Sequence, residues 1–310
     1  MTALHGYVQR PRCPCCDADA ARAKKAVSSE PAAESLPPEA LGRFLSGFDA
    51  RRVFFSYYRC PDCDLLYCPT HLAPAQLDAL YRDQPENMED APLAARLETQ
   101  RDYFGLLRSR SPMTAGYLEL GADIGLFVQQ CVAEGRFDHY WLFEPNEAVH
   151  DALRRRLAGR PYTLRRFFEA GDVPAGEVST AVMIHVLDHV LDPVELLRSV
   201  ATTLEPGGVL FVVTHDAGSL LQRLLRRRWP PYTLQHPQLF DHRSLRHLMQ
   251  RCGFERVELT RTHNYFPASF LIGAALSVCG VSARLLPRWE LPTLRLRLGN
   301  VATIAVKTGP

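Results

Sequence analysis

The chain has no long hydrophobic run and no excess of charge of either sign. Its most apolar stretch, around residues 270–281, is about a dozen residues long, whereas a membrane-spanning helix needs about 20. The formal net charge is +2 over 310 residues, so the composition does not call for a nucleic-acid partner. Residues 1–12 lack the apolar core of a signal peptide. We therefore expect a soluble, cytoplasmic protein without a transmembrane segment.

The glycine spacing of a dinucleotide-binding loop is also missing, although the surrounding pattern is present. Residues 117–125 combine a short apolar strand with a tight loop that contains two glycines. A helical run follows, and a second strand, 140–143, ends at Glu144. A carboxylate at this distance is placed to bind ribose hydroxyls, but the second and third glycines of G-x-G-x-x-G would fall on Asp123 and Leu126. The unit therefore predicts a nucleotide-type site rather than an NAD(P) site.

Strands alternate with helices through the rest of the chain. Asp192 before Pro193 is typical of a helix start, and the Pro-Gly-Gly run at 206–208 is typical of a helix end. This alternation predicts an α/β fold, a Rossmann-like doubly wound sheet of about seven strands. The further predicted strands are 162–168, 180–184, 209–213, 257–260 and 301–306, and the predicted helices include 93–107, 147–157 and one that follows Asp241.

Two C-x-x-C pairs near the N-terminus predict a metal site. Four thiolates from Cys13, Cys16, Cys60 and Cys63 suit a tetrahedral structural zinc ion without an open position. Cys15 and Cys68 are spare, and either is able to replace a chosen ligand. Disulfides or unliganded thiols are the alternatives. The polar and Ala/Pro-rich segment 20–38 between the pairs is expected to be an exposed, mobile insert.

The loop after the first strand resembles motif I of class I S-adenosylmethionine-dependent methyltransferases, written E/D-x-G-x-G-x-G. Glu119, Gly121 and Gly125 match, Ala122 is a small residue between them, and Asp123 stands where the middle glycine is expected. Its carboxylate either faces the cofactor, narrows the pocket or has no ligand contact. The segments 187–190 and 204–208 resemble later segments of the same enzymes. The resemblance implies S-adenosylmethionine as cofactor, with a binding site that comprises Glu119, Gly121, Ala122, Asp123, Gly125, Glu144, Pro145, Phe168 and His185.

The cysteine-rich front end is similar to the zinc-binding module of a bacterial family that methylates sugars, polysaccharide components and secondary metabolites. This resemblance implies a zinc-binding module at 1–85 and a methyltransferase domain at 86–310, with an insert near 266–297. The sugar C-methyltransferases of the family carry a further C-terminal domain that this chain is too short to hold. We therefore expect methylation of a hydroxyl or an amine on a small molecule, sugar or glycan precursor.

Histidine is the residue type best suited to remove the acceptor proton near neutral pH. His189, followed by His185 and His236, is the preferred catalytic candidate, and His215 lies near the same pocket mouth. Each alone is more often a structural or surface histidine. A metal-assisted reaction is less favoured because no carboxylate cluster of suitable spacing stands out.

Several alternatives remain open at this stage. Three roles are open for the basic, amphipathic segment 220–229. It binds an anionic acceptor, it rests on a membrane surface as a peripheral contact, or it is a helix with one solvated face. A zinc-ribbon RNA base methyltransferase is disfavoured by the weak charge and by the lack of an [N/D]-P-P-Y motif after the fourth strand. A non-catalytic binding protein on a methyltransferase fold is the third possibility, suggested by Asp123. The sequence does not indicate the oligomeric state.

Overall fold

The computed structural model describes residues 7–44, 52–77, 91–134, 136–278 and 291–309. The strands are β1 Tyr7–Gln9, β2 Lys24–Val27, β3 Tyr57–Arg59, β4 Leu66–Tyr67, β5 Thr70–Leu72, β6 Gly116–Leu120, β7 His139–Phe143, β8 Tyr162–Arg165, β9 Val178–Ile184, β10 Leu204–His215, β11 Gln238–Leu239, β12 Phe254–Arg261, β13 Asn264–Pro267, β14 Thr293–Leu296 and β15 Asn300–Lys307. The helices are α1 Leu93–Arg108, α2 Val128–Glu134, α3 His150–Arg156, α4 Pro193–Thr203, α5 Leu220–Leu225, α6 His242–Arg251 and α7 Ala268–Val278.

The predicted seven-stranded sheet is present, in the order β12-β15-β10-β9-β6-β7-β8. The pairs within β10-β9-β6-β7-β8 are parallel, and β15 runs antiparallel to both β10 and β12. In register, Leu120 lies opposite Phe143 on one side and Met183 on the other. The carboxyl ends of β6, β7 and β9 therefore meet at one edge of the sheet, where ligands of open α/β folds bind.

Helices cover both faces of this sheet and bury its apolar side chains. The predicted start of α4 is confirmed, since the Asp192 side chain accepts a hydrogen bond from the Glu195 backbone N–H at 2.9 Å. Asp241 is the N-cap of helix α6 and forms a reciprocal capping box with Ser244. The predicted strand at 162–168 is shorter than expected, because β8 ends at Arg165 and leaves Phe168 outside the sheet.

The cysteine-rich segment is tied closely to the domain that carries the seven-stranded sheet. Strand β11 pairs with β4, so that residues 238–239 complete a sheet of order β11-β4-β3-β2. Tyr57 and Phe54 share a buried cluster with Trp229 and Tyr232. The proposed division near residue 85 lies outside the described residues. The insert expected at 20–38 contains β2, which pairs with β3 and has mostly exposed side chains, and a buried Ala33.

The insert expected near 266–297 contains the strand pair β13–β14 and the helix α7, while 279–290 lies outside the described part of the chain. Helix α1 contacts the strand β13 of this insert, because the Thr99 hydroxyl accepts a hydrogen bond from the Tyr265 backbone N–H at 2.9 Å. Within the described ranges, no helix is long and apolar enough to cross a membrane.

Candidate active site and cysteine cluster

The loop after β6 needs its glycines. Gly121 and Gly125 have φ angles of 71° and 80°, in the left-handed region that favours glycine. A Cβ atom on Gly121 would lie 2.4 Å from Cγ2 of Val186, and one on Gly125 would lie 2.7 Å from Cδ1 of Leu153. Asp123 has a φ of 47°, which aspartate tolerates better than most residues. The turn therefore survives without the middle glycine.

Glu144 is fixed at the end of β7 by the same loop. Its Oε2 accepts a hydrogen bond from the Asp123 backbone N–H at 2.8 Å, and its Oε1 accepts one from the Asn146 backbone N–H, also at 2.8 Å. The carboxylate is buried, and this burial raises its pKa above the usual range despite the two backbone donors. Each oxygen keeps a further lone pair for a ligand hydroxyl.

Glu119 lies inside the sheet below the loop. Its carboxyl accepts a hydrogen bond from the Tyr117 hydroxyl at 2.7 Å. Only 2% of the residue is exposed, and burial raises the pKa of this carboxyl to about 8. Glu119 is therefore largely protonated at neutral pH.

A cavity of about 120 Å³ opens beside this loop. Five of the predicted cofactor residues line it: Glu119, Gly121, Ala122, Asp123 and His185. The other four predicted residues do not appear on its wall. Gly125 and Glu144 adjoin it through the loop, the Pro145 carbonyl accepts a hydrogen bond from Nε of Arg166, and the Phe168 ring packs edge-on against Phe143 with centroids 5.1 Å apart.

Sequence reasoning missed the opposite wall of the cavity. Arg96 and Tyr103 come from α1, and Asn264 and Phe266 come from β13. Arg96 lies 3.5 Å from the Asp123 carboxylate, so this aspartate has a cationic neighbour on α1. No motif marks these residues, because α1 and β13 are far apart in sequence and the approach of their side chains depends on tertiary packing.

The three predicted catalytic histidines meet in one cluster, together with His215. Their imidazole centroids are separated by 4.6 Å for His185 and His215, 5.0 Å for His215 and His236, and 4.4 Å for His189 and His236. Nε2 of His189 lies 3.2 Å from Nε2 of His236. Of the four, only His185 lines the cavity beside the motif I loop among the described residues.

Asp188 is the acidic member of the cluster. Its Oδ2 lies 2.7 Å from Nδ1 of His215 and also accepts a hydrogen bond from the His215 backbone N–H. Burial lowers the pKa of His185 to about 3 and the pKa values of His215 and His236 to about 4. Burial raises the pKa of Asp188 to about 6. The imidazoles are therefore neutral at pH 7 and keep a lone pair for a proton or a metal ion.

The four predicted zinc ligands form a second, separate cluster. Sγ of Cys13 lies 3.6 Å from Sγ of Cys63, and Sγ of Cys16 lies 3.5 Å from Sγ of Cys60; all four sulfurs lie within 4.8 Å of one another. A tetrahedral zinc site with Zn–S distances of about 2.3 Å separates its sulfurs by roughly 3.8 Å. The cluster therefore fits a zinc ion held by four thiolates.

The two spare cysteines point elsewhere. Cys15 directs its thiol to the Ser244 carbonyl at 3.6 Å, and Cys68 directs its thiol to the Phe55 carbonyl at 3.9 Å. Both thiols are buried, and neither belongs to the four-sulfur group. The structure thereby favours the four ligands chosen from the spacing.

The chain is similar to known methyltransferases in one short segment and in its fold. A segment of 55 residues is 40% identical to ubiquinone biosynthesis O-methyltransferase of Caulobacter vibrioides and covers 18% of this chain. It covers 21% of that protein, so the chain spans about a fifth of the length of this curated relative. A complex of the Haloferax volcanii Trm112 methyltransferase activator with a methyltransferase has a TM-score of 0.50 at 13% identity over 75% of this chain and 98% of that chain. A SAM-dependent methyltransferase of Thermotoga maritima has a TM-score of 0.46 at 18% identity over 70% of this chain and 92% of that chain.

The strand order, the antiparallel β15 and the glycine loop at the carboxyl edge define the class I S-adenosylmethionine-dependent methyltransferase fold. Residues 91–259, more than half of the chain, match the methyltransferase domain family. The chain therefore belongs to the methyltransferase domain family.

Proposed function

We propose that this enzyme transfers a methyl group from S-adenosylmethionine to a hydroxyl or amine of a small molecule, sugar or glycan precursor, with a histidine as general base. The observation that carries the proposal is the position of His185, which belongs both to the cavity wall and to the histidine cluster. A methyl donor in the cavity therefore lies next to a set of neutral imidazoles.

The cofactor half of the site rests on the motif I loop and Glu144. The loop glycines allow backbone to approach a ligand where a side chain would not fit. Glu144 presents two oxygens already oriented by backbone N–H groups, and a pair of ribose hydroxyls would hydrogen-bond to them. When bound, S-adenosylmethionine supplies the electrophilic methyl group. The protein contributes alignment of the acceptor and removal of its proton.

His236 and His189 are the best-placed pair for that proton. Nδ1 of His236 lies 2.7 Å from the Pro231 carbonyl, which only accepts hydrogen bonds, so Nδ1 carries the hydrogen. Nε2 of neutral His236 is then the basic atom, and it lies 3.2 Å from Nε2 of His189. A proton taken by either ring is stabilised by the other imidazole. This arrangement supports the preferred base, His189, with His236 as its partner.

The test uses the full chain and S-adenosylmethionine with an isotopically labelled methyl group. The acceptor panel contains nucleotide-linked sugars, hydroxylated and aminated small molecules, and bulk RNA. We expect label in a hydroxylated or aminated small molecule and a large loss of transfer in His189→Gln and His236→Gln, while calorimetry shows unchanged cofactor binding. Label found only in RNA, or only on carbon, would overturn the proposed acceptor class, and full transfer by both variants would overturn the base.

We further propose that Cys13, Cys16, Cys60 and Cys63 hold a structural zinc ion, as in the bacterial sugar and secondary-metabolite methyltransferases that the front end resembles. The sulfur distances support a closed four-thiolate site, which leaves no position for substrate. None of the eight described cysteines forms a disulfide, which agrees with the cytoplasmic location that we propose. Elemental analysis of protein purified without added metal should find zinc, and Cys60→Ser should lose it. Absence of zinc from folded wild-type protein would refute this assignment.

A further inference from the structure

A second group of metal-binding donors lies at the carboxyl edge of the sheet, apart from the four cysteines. His185 and Asp188 come from the loop after β9, and His215 is the last residue of β10. Each side chain offers one donor atom, and the three atoms lie within 4.8 Å of one another. The sequence alone did not reveal this group, because Asp188 and His215 are far apart along the chain and the sheet brings them together.

Two polar atoms in this group have no hydrogen-bond partner. Nδ1 of His185 and Oδ1 of Asp188 each expose less than 1 Å² of surface. A buried polar atom without a partner is destabilising, so such atoms are rare unless something binds them. Asp188 itself is fully buried, and its other oxygen is engaged by His215. The free oxygen and the free nitrogen are both ligand atoms for a cation.

The backbone conformation of His185 also points to a functional site. His185 has a φ of 54°, in the left-handed region that few residues other than glycine adopt. Strain of this kind persists mainly where the surrounding structure requires it, commonly at functional sites. The preceding residue, Ile184, continues β9 in register with Val213 of β10. The turn at His185 therefore directs this side chain back towards the end of β10.

We infer that His185, Asp188 and His215 form a divalent-cation site with two imidazole ligands and one carboxylate. Nitrogen and oxygen donors of this type suit Zn²⁺, Mn²⁺, Fe²⁺, Co²⁺ or Ni²⁺ better than Ca²⁺ or Mg²⁺. Three protein ligands leave coordination positions open for a substrate oxygen, unlike the closed four-cysteine site. The existence of this site does not depend on the proposed acceptor.

The role of the ion does rest on the proposed function. An acceptor hydroxyl bound at an open position would be held beside the methyl donor, since His185 also lines the cofactor cavity. The ion would lower the pKa of that hydroxyl and orient its oxygen. The His215 and His236 rings are 5.0 Å apart, so the His189–His236 pair is near enough to receive the proton. The ion and the base then act on the same oxygen.

Cobalt substitution separates the two metal sites in the intact chain. Thiolate-bound Co²⁺ has strong sulfur-to-metal absorption, whereas a nitrogen–oxygen site gives only weak bands. We expect about two Co²⁺ per chain at saturation in the wild type, and about one in His185→Gln and in His215→Gln, with the thiolate absorption unchanged. His71→Gln is the matched control, because His71 is a buried histidine outside the cluster, with Nδ1 2.7 Å from the Leu72 carbonyl.

Preserved thiolate absorption and an unchanged far-UV circular dichroism spectrum show that a variant is folded, so a lost ion cannot be attributed to unfolding. A variant that unfolds is replaced by Asp188→Asn, which removes the anionic ligand with little change in size. One Co²⁺ per wild-type chain, with the thiolate spectrum alone, would overturn the site. Two ions per chain without methyl transfer to any hydroxyl or amine would retain the site and refute the proposed function instead.

Discussion

Glu144→Gln tests the cofactor site at its most constrained side chain. Both carboxylate oxygens accept backbone hydrogen bonds at 2.8 Å, one from Asp123 and one from Asn146. A glutamine keeps one oxygen but turns an NH₂ group towards one of these N–H donors. That contact is repulsive, and one ribose hydroxyl loses its charged acceptor. A hydrogen bond to a charged group is worth about 1.5–3 kcal/mol, which corresponds to a loss of affinity of about 10- to 150-fold.

Titration calorimetry with S-adenosylmethionine measures this effect directly, and the product S-adenosylhomocysteine should show a similar loss because it has the same ribose. Glu147→Gln is the control, since its side chain is 71% exposed and its carboxylate lies 3.7 Å from Nε of Arg166 at the surface. We expect the control to bind like the wild type. A Glu144→Gln variant that binds within about twofold of the wild type would refute the assignment of this carboxylate to the ribose, since twofold is only ~0.4 kcal/mol.

Three further perturbations test the loop, the buried acid and the cysteine cluster. Gly121→Ala should lower the thermal midpoint more than Gly159→Ala: both positions have positive φ, but only the Cβ at 121 meets another side chain, and overpacking adds about 1–3 kcal/mol. The stability of Glu119→Gln should depend less on pH than that of the wild type. In the folded wild type the pKa of this carboxyl is about 8, against an ordinary value of 4.5. The free energy of unfolding of the wild type therefore falls as the pH rises from 4.5 to 8, and glutamine removes this dependence. Denaturant titrations measure the free energy of unfolding at pH 5 and at pH 9. An equal change in this free energy between the two pH values for both proteins would contradict the prediction. Removal of metal by a chelator should lower the thermal midpoint in a zinc-reversible manner, and an unchanged midpoint after complete zinc loss would argue against a structural ion.

The loop and the carboxylate that we propose as the cofactor site were predictable as features of the fold, because their determinants are local. Gly121, Gly125 and Glu144 follow two neighbouring strands, and strand periodicity with loop glycines marks both. Because the carboxyl ends of parallel strands share one edge, these loops had to meet there. Predicted strands also agree with the seven-stranded sheet, except that apolar character extended the third strand to Phe168, beyond the end of β8.

The opposite wall of the cavity was not predictable in the same way. Arg96 and Asn264 reach the cavity from α1 and from β13, and no short-range pattern connects these elements. Asp188 was recognised only as part of a motif, while its contact with His215 follows from the neighbouring positions of β9 and β10. The pairing of β11 with β4 likewise joins segments that are distant along the chain. Such contacts depend on tertiary packing rather than on local periodicity.

The cysteine-rich module also holds the backbone of the histidine cluster through a buried hydrogen bond. The Tyr57 hydroxyl, on β3, donates a hydrogen bond to the His236 carbonyl at 2.6 Å. Tyr57→Phe leaves this buried carbonyl without its donor, at a cost of about 1–3 kcal/mol, and loosens the backbone that carries the His236 ring. We expect slower methyl transfer with S-adenosylmethionine affinity unchanged, because Glu144 and the motif I loop are not touched.

Tyr58→Phe provides the matched control on the same strand, since its side chain points to the other face of β3 and is only half-buried. Single-turnover rates at saturating cofactor report the transfer step, and calorimetry reports cofactor binding. If Tyr57→Phe weakened cofactor binding and transfer equally, the change would be a general loss of stability. A drop confined to transfer, absent from Tyr58→Phe, would mean that the module helps to position the proton acceptor as well as holding a metal ion.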